Sequence, residues 1–257
     1  MPETALITGA SSGIGRELAI IHAERGGDLI AVARRVEKLN DLRDELQAKH
    51  SVTVHVITKD LTEENAPAEL HREIQERGLT VDYLVNNAGF GGQGKFVDRA
   101  WRDDRSMVQL NVIALAHLTR LFLPDMIARG SGRVLNVSST AGYMPGPLQA
   151  TYFATKAFVN SFSNALAEEL RGTGVTVSAL QPGATKTEFA ERAGLESSDL
   201  MKQAVSARKV ALDGYEGMLA GQMDIISGLP GGRFTVGLSR LLPKSLLMKQ
   251  VRKMQDV

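Results

Sequence analysis

Residues 4–15 read TALITGASSGIG: a β-prone run, then a turn carrying Gly9, Gly13 and Gly15, then the start of a helix-forming segment. A strand that passes through such a turn into a helix brings its backbone and the helix N-terminus up to a diphosphate. Glycines allow the tight turn and the close approach. Ser11, Ser12 and Ile14 complete the loop. The same residues also match G-x-S-x-G, with Ser11 as the nucleophile of a hydrolase elbow. That fold needs strands before its elbow and a histidine late in the chain. Here only eight residues precede Gly9 and the last histidine is His117, so the hydrolase match is accidental.

Outward from this turn, short β-rich runs alternate with helix-period segments. The pattern predicts strands at 4–9, 28–34, 51–60, around VDYLVNNAG (81–89), at 133–139, 175–183 and 223–227, with helices at 14–26, 36–49, about 100–129 and one carrying YFATK (152–156). Strands alternating with helices of this length make βαβ units and a parallel sheet, hence an α/β doubly wound fold. No Pro-, Gly- or Ser-rich linker divides the 257 residues, so one domain is expected.

Composition narrows the functional classes. The formal net charge is +1, which gives no overall field for nucleic acid. There is no cysteine, and His22, His50, His55, His71 and His117 are scattered without ligand spacing, so no metal site is expected. The start MPETALITGA lacks a signal-like pattern, and no run of about 18 apolar residues occurs. A soluble cytoplasmic protein is the expectation.

In a doubly wound sheet, ligands bind outside the carboxyl ends of the strands. The second strand exits at VARR (32–35), with Arg34 and Arg35 where an acidic residue would hold ribose hydroxyls. Arginine there suits a 2′-phosphate, which points to NADP(H) rather than NAD(H). The third exit ends at Asp60-Leu61, suitable for an adenine amino group and ring face. The fourth is NNAG (86–89), with Asn87, Ala88 and Gly89, and the fifth is Ser138-Ser139. NVS (136–138) is formally a glycosylation sequon but falls in an expected buried strand. In YFATK, Tyr152 and Lys156 lie four apart, on one helix face. A lysine ammonium beside a phenol favours the phenolate. Tyr143 has Pro147 at the corresponding position instead.

TGASSGIG, NNAG, Asn111, Ser139, YFATK and the PG of LQPGATKT, in this order and spacing from about residue 3 to 190, resemble the short-chain dehydrogenase/reductase family in its compact branch. The resemblance implies a Rossmann-type, mainly parallel seven-stranded sheet and hydride transfer between a nicotinamide and a carbonyl or alcohol. It implies Tyr152 as acid/base and Lys156 as the group that holds the nicotinamide ribose and lowers the tyrosine pKa. To act near neutrality the phenol would have to fall by roughly three units, about 4 kcal/mol. Ser139 would hydrogen-bond the substrate oxygen and Asn111 would support a proton relay. Asn87 and Gly89 would line the cofactor, Asp60 would meet the adenine, and Pro182, Gly183, Thr185 and Thr187 would close the nicotinamide end. A family likeness of this kind also implies homo-oligomers. The alternative is a non-catalytic NADP(H)-binding regulator on the same fold; the complete Ser139, Tyr152, Lys156 set favours the enzyme.

Beyond 190 the likeness thins. Helices over about 190–220 are expected to cover a small or lipid-like substrate, with Leu195, Leu200, Met201, Val205, Met218 and Leu219 as pocket wall or core. The tail 239–255, SRLLPKSLLMKQVRKMQ, is a basic amphipathic extension. Leu246, Leu247, Val251 and Met254 recur at helical spacing, and Lys249 and Lys253 share another face. It is expected to pack on a partner subunit or the chain's own substrate lid, with peripheral membrane contact as the other reading.

Overall fold

The computed structural model describes residues 2–194, 199–229, 231–232, 236–237 and 243–255. Leu195, the side chain of Leu200 and tail residues 239–242 lie outside that set.

Seven parallel strands form one sheet in the order β3-β2-β1-β4-β5-β6-β9. They are β1 (Thr4–Thr8), β2 (Asp28–Ala33), β3 (Val54–Thr58), β4 (Tyr83–Asn86), β5 (Gly132–Val137), β6 (Val175–Pro182) and β9 (Asp224–Ser227). The two-residue strands β7 (Thr185–Lys186) and β8 (Val205–Ser206) pair with each other, joining the segment after β6 to the start of the last sheet-packed helix. The chain runs outward from β1 to β3, then returns to place β4 on the other side of β1. That reversal opens a crevice at the carboxyl ends of β1 and β4.

Alternation within the strands builds two cores. On β1, Ala5 and Ile7 face one side while Leu6 faces the other. The first side is covered by α1 (Gly13–Glu24), α2 (Val36–Lys49) and α8 (Ala207–Leu219), through Leu18, Leu39, Leu42, Val210 and Met218. The second is covered by α3 (Ala66–Glu76) and α5 (Leu115–Arg129), through Leu70, Ile74, Leu118 and Phe122, with α6 (Ala150–Glu169) beside them. Met218 is buried, and Val205 and Leu219 pack against the first core, so these three belong to the sheet packing.

Two local differences from the sequence reading have physical causes. The third strand closes at Thr58, two residues before Asp60, because the chain turns at Asp60, whose carboxylate accepts from the Thr62 amide (3.0 Å) and hydroxyl (2.8 Å). The helix expected over 100–129 runs as α4 (Trp101–Val108), a π-helical turn (Gln109–Ala114) and α5. The wide turn seats buried Asn111 against the loop that follows β4. This whole helix, Trp101–Arg129, is by length and composition apolar enough to cross a bilayer. Leu118, Phe122 and Met126 instead bury its apolar stripe against the sheet.

Candidate active site

The glycine turn is shaped by what stands against it. Gly9 and Gly13 adopt φ of +69° and +56°, open to glycine at little cost. At Gly15 a Cβ would lie 2.3 Å from Asn87 Nδ2 and 2.5 Å from the Gly9 carbonyl oxygen. No side chain fits there. Asn87 is the pin across the crevice: its Nδ2 donates to Thr8 O at 2.9 Å and Gly9 O at 3.4 Å. Thr8 completes the clamp, its hydroxyl accepting from the amides of Asn87 and Ala88 (both 3.0 Å) and donating to Val85 O at 3.3 Å. Sequence reasoning passed over Thr8, although it opens TGASSGIG. The first turn of α1 carries no acidic residue to offset its positive end.

At the β2 exit the arginines divide. Arg34 turns to Asp60, 3.6 Å away, and the Asp60 carboxyl is held below its ordinary range: burial opposes ionisation, but the Thr62 and Arg34 hydrogen bonds and the Arg34 charge outweigh it. Arg35 folds over the glycine turn, donating to Ser11 Oγ at 3.2 Å and Ser12 Oγ at 3.0 Å. Its other nitrogen pairs at 2.8 Å with Glu188, whose second oxygen lies 2.6 Å from Lys38. Lys38 and Glu188 carry no sequence signal of their own. Leu61 is buried in the second core, near Ala88 and Leu110, and offers little surface to a ligand.

Four side chains converge beyond the ends of β4 and β5. Ser139 follows β5 and caps a short 3-10 turn (Thr140–Tyr143), its Oγ accepting from the Ala141 amide at 3.1 Å. Tyr152 stands opposite it on α6, near enough for Ser139 to act on its phenol. Lys156, one helical turn on, is buried, and its Nζ donates to Val137 O at 2.8 Å. Asn111 grips the loop after β4 on both sides: Phe90 N donates to its Oδ1 (3.2 Å), and its Nδ2 donates to Phe90 O (3.0 Å) and Thr155 Oγ1 (3.1 Å). Gly89 sits between them, and a Cβ there would be 3.0 Å from Asn111 Oδ1 and 3.7 Å from Lys156 Nζ. Tyr143, the other tyrosine nearby, donates to Gln181 Oε1 at 2.6 Å.

Burial is the largest influence on both groups. Burial pushes the Tyr152 phenol up to about 12, with the Ser139 hydrogen bond pulling against it. Burial pushes Lys156 down to about 8. Lys156 Nζ lies 5.8 Å from the centre of the tyrosine ring, and its hydrogen bond goes to the Val137 carbonyl. Spacing on the helix brings the two side chains together, but the surrounding protein density, which the spacing does not report, dominates both protonation equilibria.

Beyond Ser139 the groove closes through the segment after β6. Pro182 O accepts from Ser139 Oγ (3.4 Å) and Thr140 Oγ1 (3.2 Å), and Thr185 Oγ1 donates to Gly183 O (3.0 Å). Gly183 cannot take a side chain, since a Cβ would stand 2.7 Å from Gly228 O. Thr187 caps α7 (Glu188–Ala193), accepting from Phe189 N at 3.3 Å, and its methyl side would touch a Cβ placed on Gly13. The site's wall is apolar. The Phe189 ring lies 5.4 Å from that of Tyr152, and Gly91 leaves room for both. The C-terminal helix (Lys244–Gln255) buries Leu247 and Val251 against Phe153, with Tyr152, Ala141 and Met144 packed beside them. Leu247 and Val251 of the tail are thus engaged by their own chain, next to the tyrosine; Leu246 stays exposed, and the side chain of Met254 lies outside the described residues.

Comparison with known proteins agrees with this geometry. The family model for short chain dehydrogenase matches residues 3–197. An uncharacterized oxidoreductase of Myxococcus xanthus is 40% identical over 186 residues, 72% of this chain and 73% of that one. A short-chain dehydrogenase from Sphingobium yanoikuyae in complex with NADPH superposes with a TM-score of 0.84 at 32% identity, covering 100% of this chain and 99% of that one. One from Burkholderia phymatum in complex with NAD gives 0.83 at 26% identity, covering 93% of each. On its sequence, its sheet order and these matches, the chain belongs to the short-chain dehydrogenase family of oxidoreductases.

Proposed function

We propose that the protein is an NADP(H)-dependent oxidoreductase that interconverts a carbonyl and a secondary alcohol. The observation that carries the reading is the convergence of Ser139, Tyr152 and the buried Lys156 beyond the end of β5. The residues fit a dinucleotide. The Gly15 cradle excludes any Cβ, α1 presents an uncompensated N-terminus, and Arg35 with Lys38 already holds an anionic group. Gly9, Ser11, Ser12, Gly13, Ile14 and Gly15 would take the diphosphate. Arg34 and Arg35 would take the 2′-phosphate, Asp60 the adenine, and Asn87, Ala88, Gly89, Pro182, Gly183, Thr185 and Thr187 the ribose and nicotinamide side. When bound, the cofactor supplies or accepts the hydride and, in its oxidised form, a positive charge near the phenol.

In carbonyl reduction Tyr152 gives its hydroxyl proton to the developing alkoxide while Ser139 donates a second hydrogen bond to the same oxygen. A phenol kept protonated by burial is in the correct form to donate. Lys156, with an ammonium destabilised by burial, is suited to passing a proton back to the phenolate, and Asn111 holds the loop that frames this path. The Phe189 ring beside Tyr152 favours an apolar substituent on the substrate. Trp101, Ile113 and Phe158, exposed on α4, the π turn and α6, are the face we assign to self-association. NADPH oxidation measured against a panel of aldehydes, aryl ketones and medium-chain ketones tests the reading. Turnover of at least one class, with NADPH preferred to NADH, is expected. NADPH binding with no turnover across the panel would favour a regulator instead.

A further inference from the structure

Glu188 is the first residue of α7, yet its carboxylate reaches back across the groove to the β2 exit. Its two oxygens are shared between Arg35 Nη1 (2.8 Å) and Lys38 Nζ (2.6 Å). The same Arg35 guanidinium holds Ser11 and Ser12 in the glycine turn. The neighbours of Glu188 face the other end of the site: Thr187 packs on Gly13, and Phe189 packs beside Tyr152. One carboxylate therefore ties the helix that walls the reacting end to the cations at the adenosine end.

We infer that Glu188 is a specificity-determining residue that occupies, through Arg35 and Lys38, the place of the cofactor's 2′-phosphate. Binding of a 2′-phosphorylated cofactor displaces it and frees α7, whereas a cofactor with a bare ribose leaves the tie in place. The inference rests on the NADP(H) reading above and adds Lys38 to the phosphate-binding cations. The chemistry is a competition of anions: a phosphate dianion offers more charge and more acceptor oxygens than a carboxylate to the same guanidinium and ammonium. Glu188 stays ionised throughout the neutral range, its carboxyl drawn down to about 2 by the Lys38 hydrogen bond, with Arg35 acting in the same sense. All three side chains are about half exposed, so the tie is weak and its effect on affinity is modest.

The test uses adenosine 2′,5′-bisphosphate and AMP, titrated calorimetrically into the full-length wild type, Glu188→Gln and Lys38→Gln, with hydrogen exchange followed over residues 188–193. Glu188→Gln is expected to bind the bisphosphate about two- to tenfold more tightly than wild type, with AMP affinity unchanged. Lys38→Gln is expected to bind it several-fold more weakly. In wild type the bisphosphate should speed exchange in α7; in Glu188→Gln exchange should be fast from the start and indifferent to ligand. A wild type that prefers bisphosphate over AMP, with Glu188→Gln unchanged in both readouts, overturns the displacement alone. A wild type that binds the two nucleotides equally overturns the NADP(H) reading beneath it.

Discussion

Replacing Lys156 with Met should make the protein more stable at neutral pH while destroying turnover, and the gain should depend on pH in a defined way. Lys156 is 6% exposed, and burial lowers it from 10.5 to about 8. At about 1.4 kcal/mol per unit, holding the ammonium in the folded state costs about 3 kcal/mol below pH 8. Between pH 8 and 10.5 the unfolded chain keeps a proton that the folded chain has released. Wild-type stability therefore gains a rising contribution with pH across that window. The Met variant lacks this contribution. Loss of the hydrogen bond to Val137 O, about 1 kcal/mol, is nearly constant with pH. The variant's advantage should thus be largest at pH 6–7 and shrink by about 1 kcal/mol by pH 9. Urea unfolding of both proteins at half-unit steps from pH 6 to 9.5 measures it. A stability difference flat to within about 0.3 kcal/mol over that range would refute the assignment of Lys156 as a charge-strained buried amine.

The other predictions concern the cradle, the cofactor pocket and the tail. Gly15→Ala places a methyl 2.5 Å from the Gly9 carbonyl oxygen, so the turn must move. We expect at least about tenfold weaker NADPH binding by fluorescence titration and a loss of about 1–3 kcal/mol in stability; unchanged affinity would mean the turn does not seat the diphosphate. Arg34→Asp replaces a cation with an anion beside Asp60 and should weaken NADPH about ten- to a hundredfold while sparing NADH; equal losses for both would remove Arg34 from the 2′-phosphate site. Leu247→Asp should release the C-terminal helix from Phe153, read as faster amide exchange over 244–255 with the sheet unchanged. Persistent protection there would contradict the packing.

The sheet was legible because its signals are local. Glycines at 9, 13 and 15, two-residue alternation in β1, and the polar exits at 34, 60, 87 and 139 are all set by neighbours along the chain. The π turn at 109–114 left no such trace, since one extra residue in a helical turn hardly disturbs an apolar stripe. The burial of Tyr152 and Lys156 was hidden for a different reason. Their spacing is local, but Tyr152 is covered by Phe189 and the C-terminal helix, distant in sequence. Arg35 and Glu188 stand 153 positions apart and meet only because the chain after β6 folds back over the glycine turn. The tail's amphipathic pattern identified a face to be buried, and tertiary packing alone determined that Phe153 would cover it.

The most direct test of the central claim is Tyr152→Phe, which removes one hydroxyl and leaves the ring against Phe153 and Phe189. NADPH affinity, measured by fluorescence titration, should stay within about threefold of wild type. The rate of NADPH oxidation under saturating carbonyl substrate should fall by about 10²–10⁴. A variant that retains more than about a tenth of the wild-type rate would contradict Tyr152 as the proton donor.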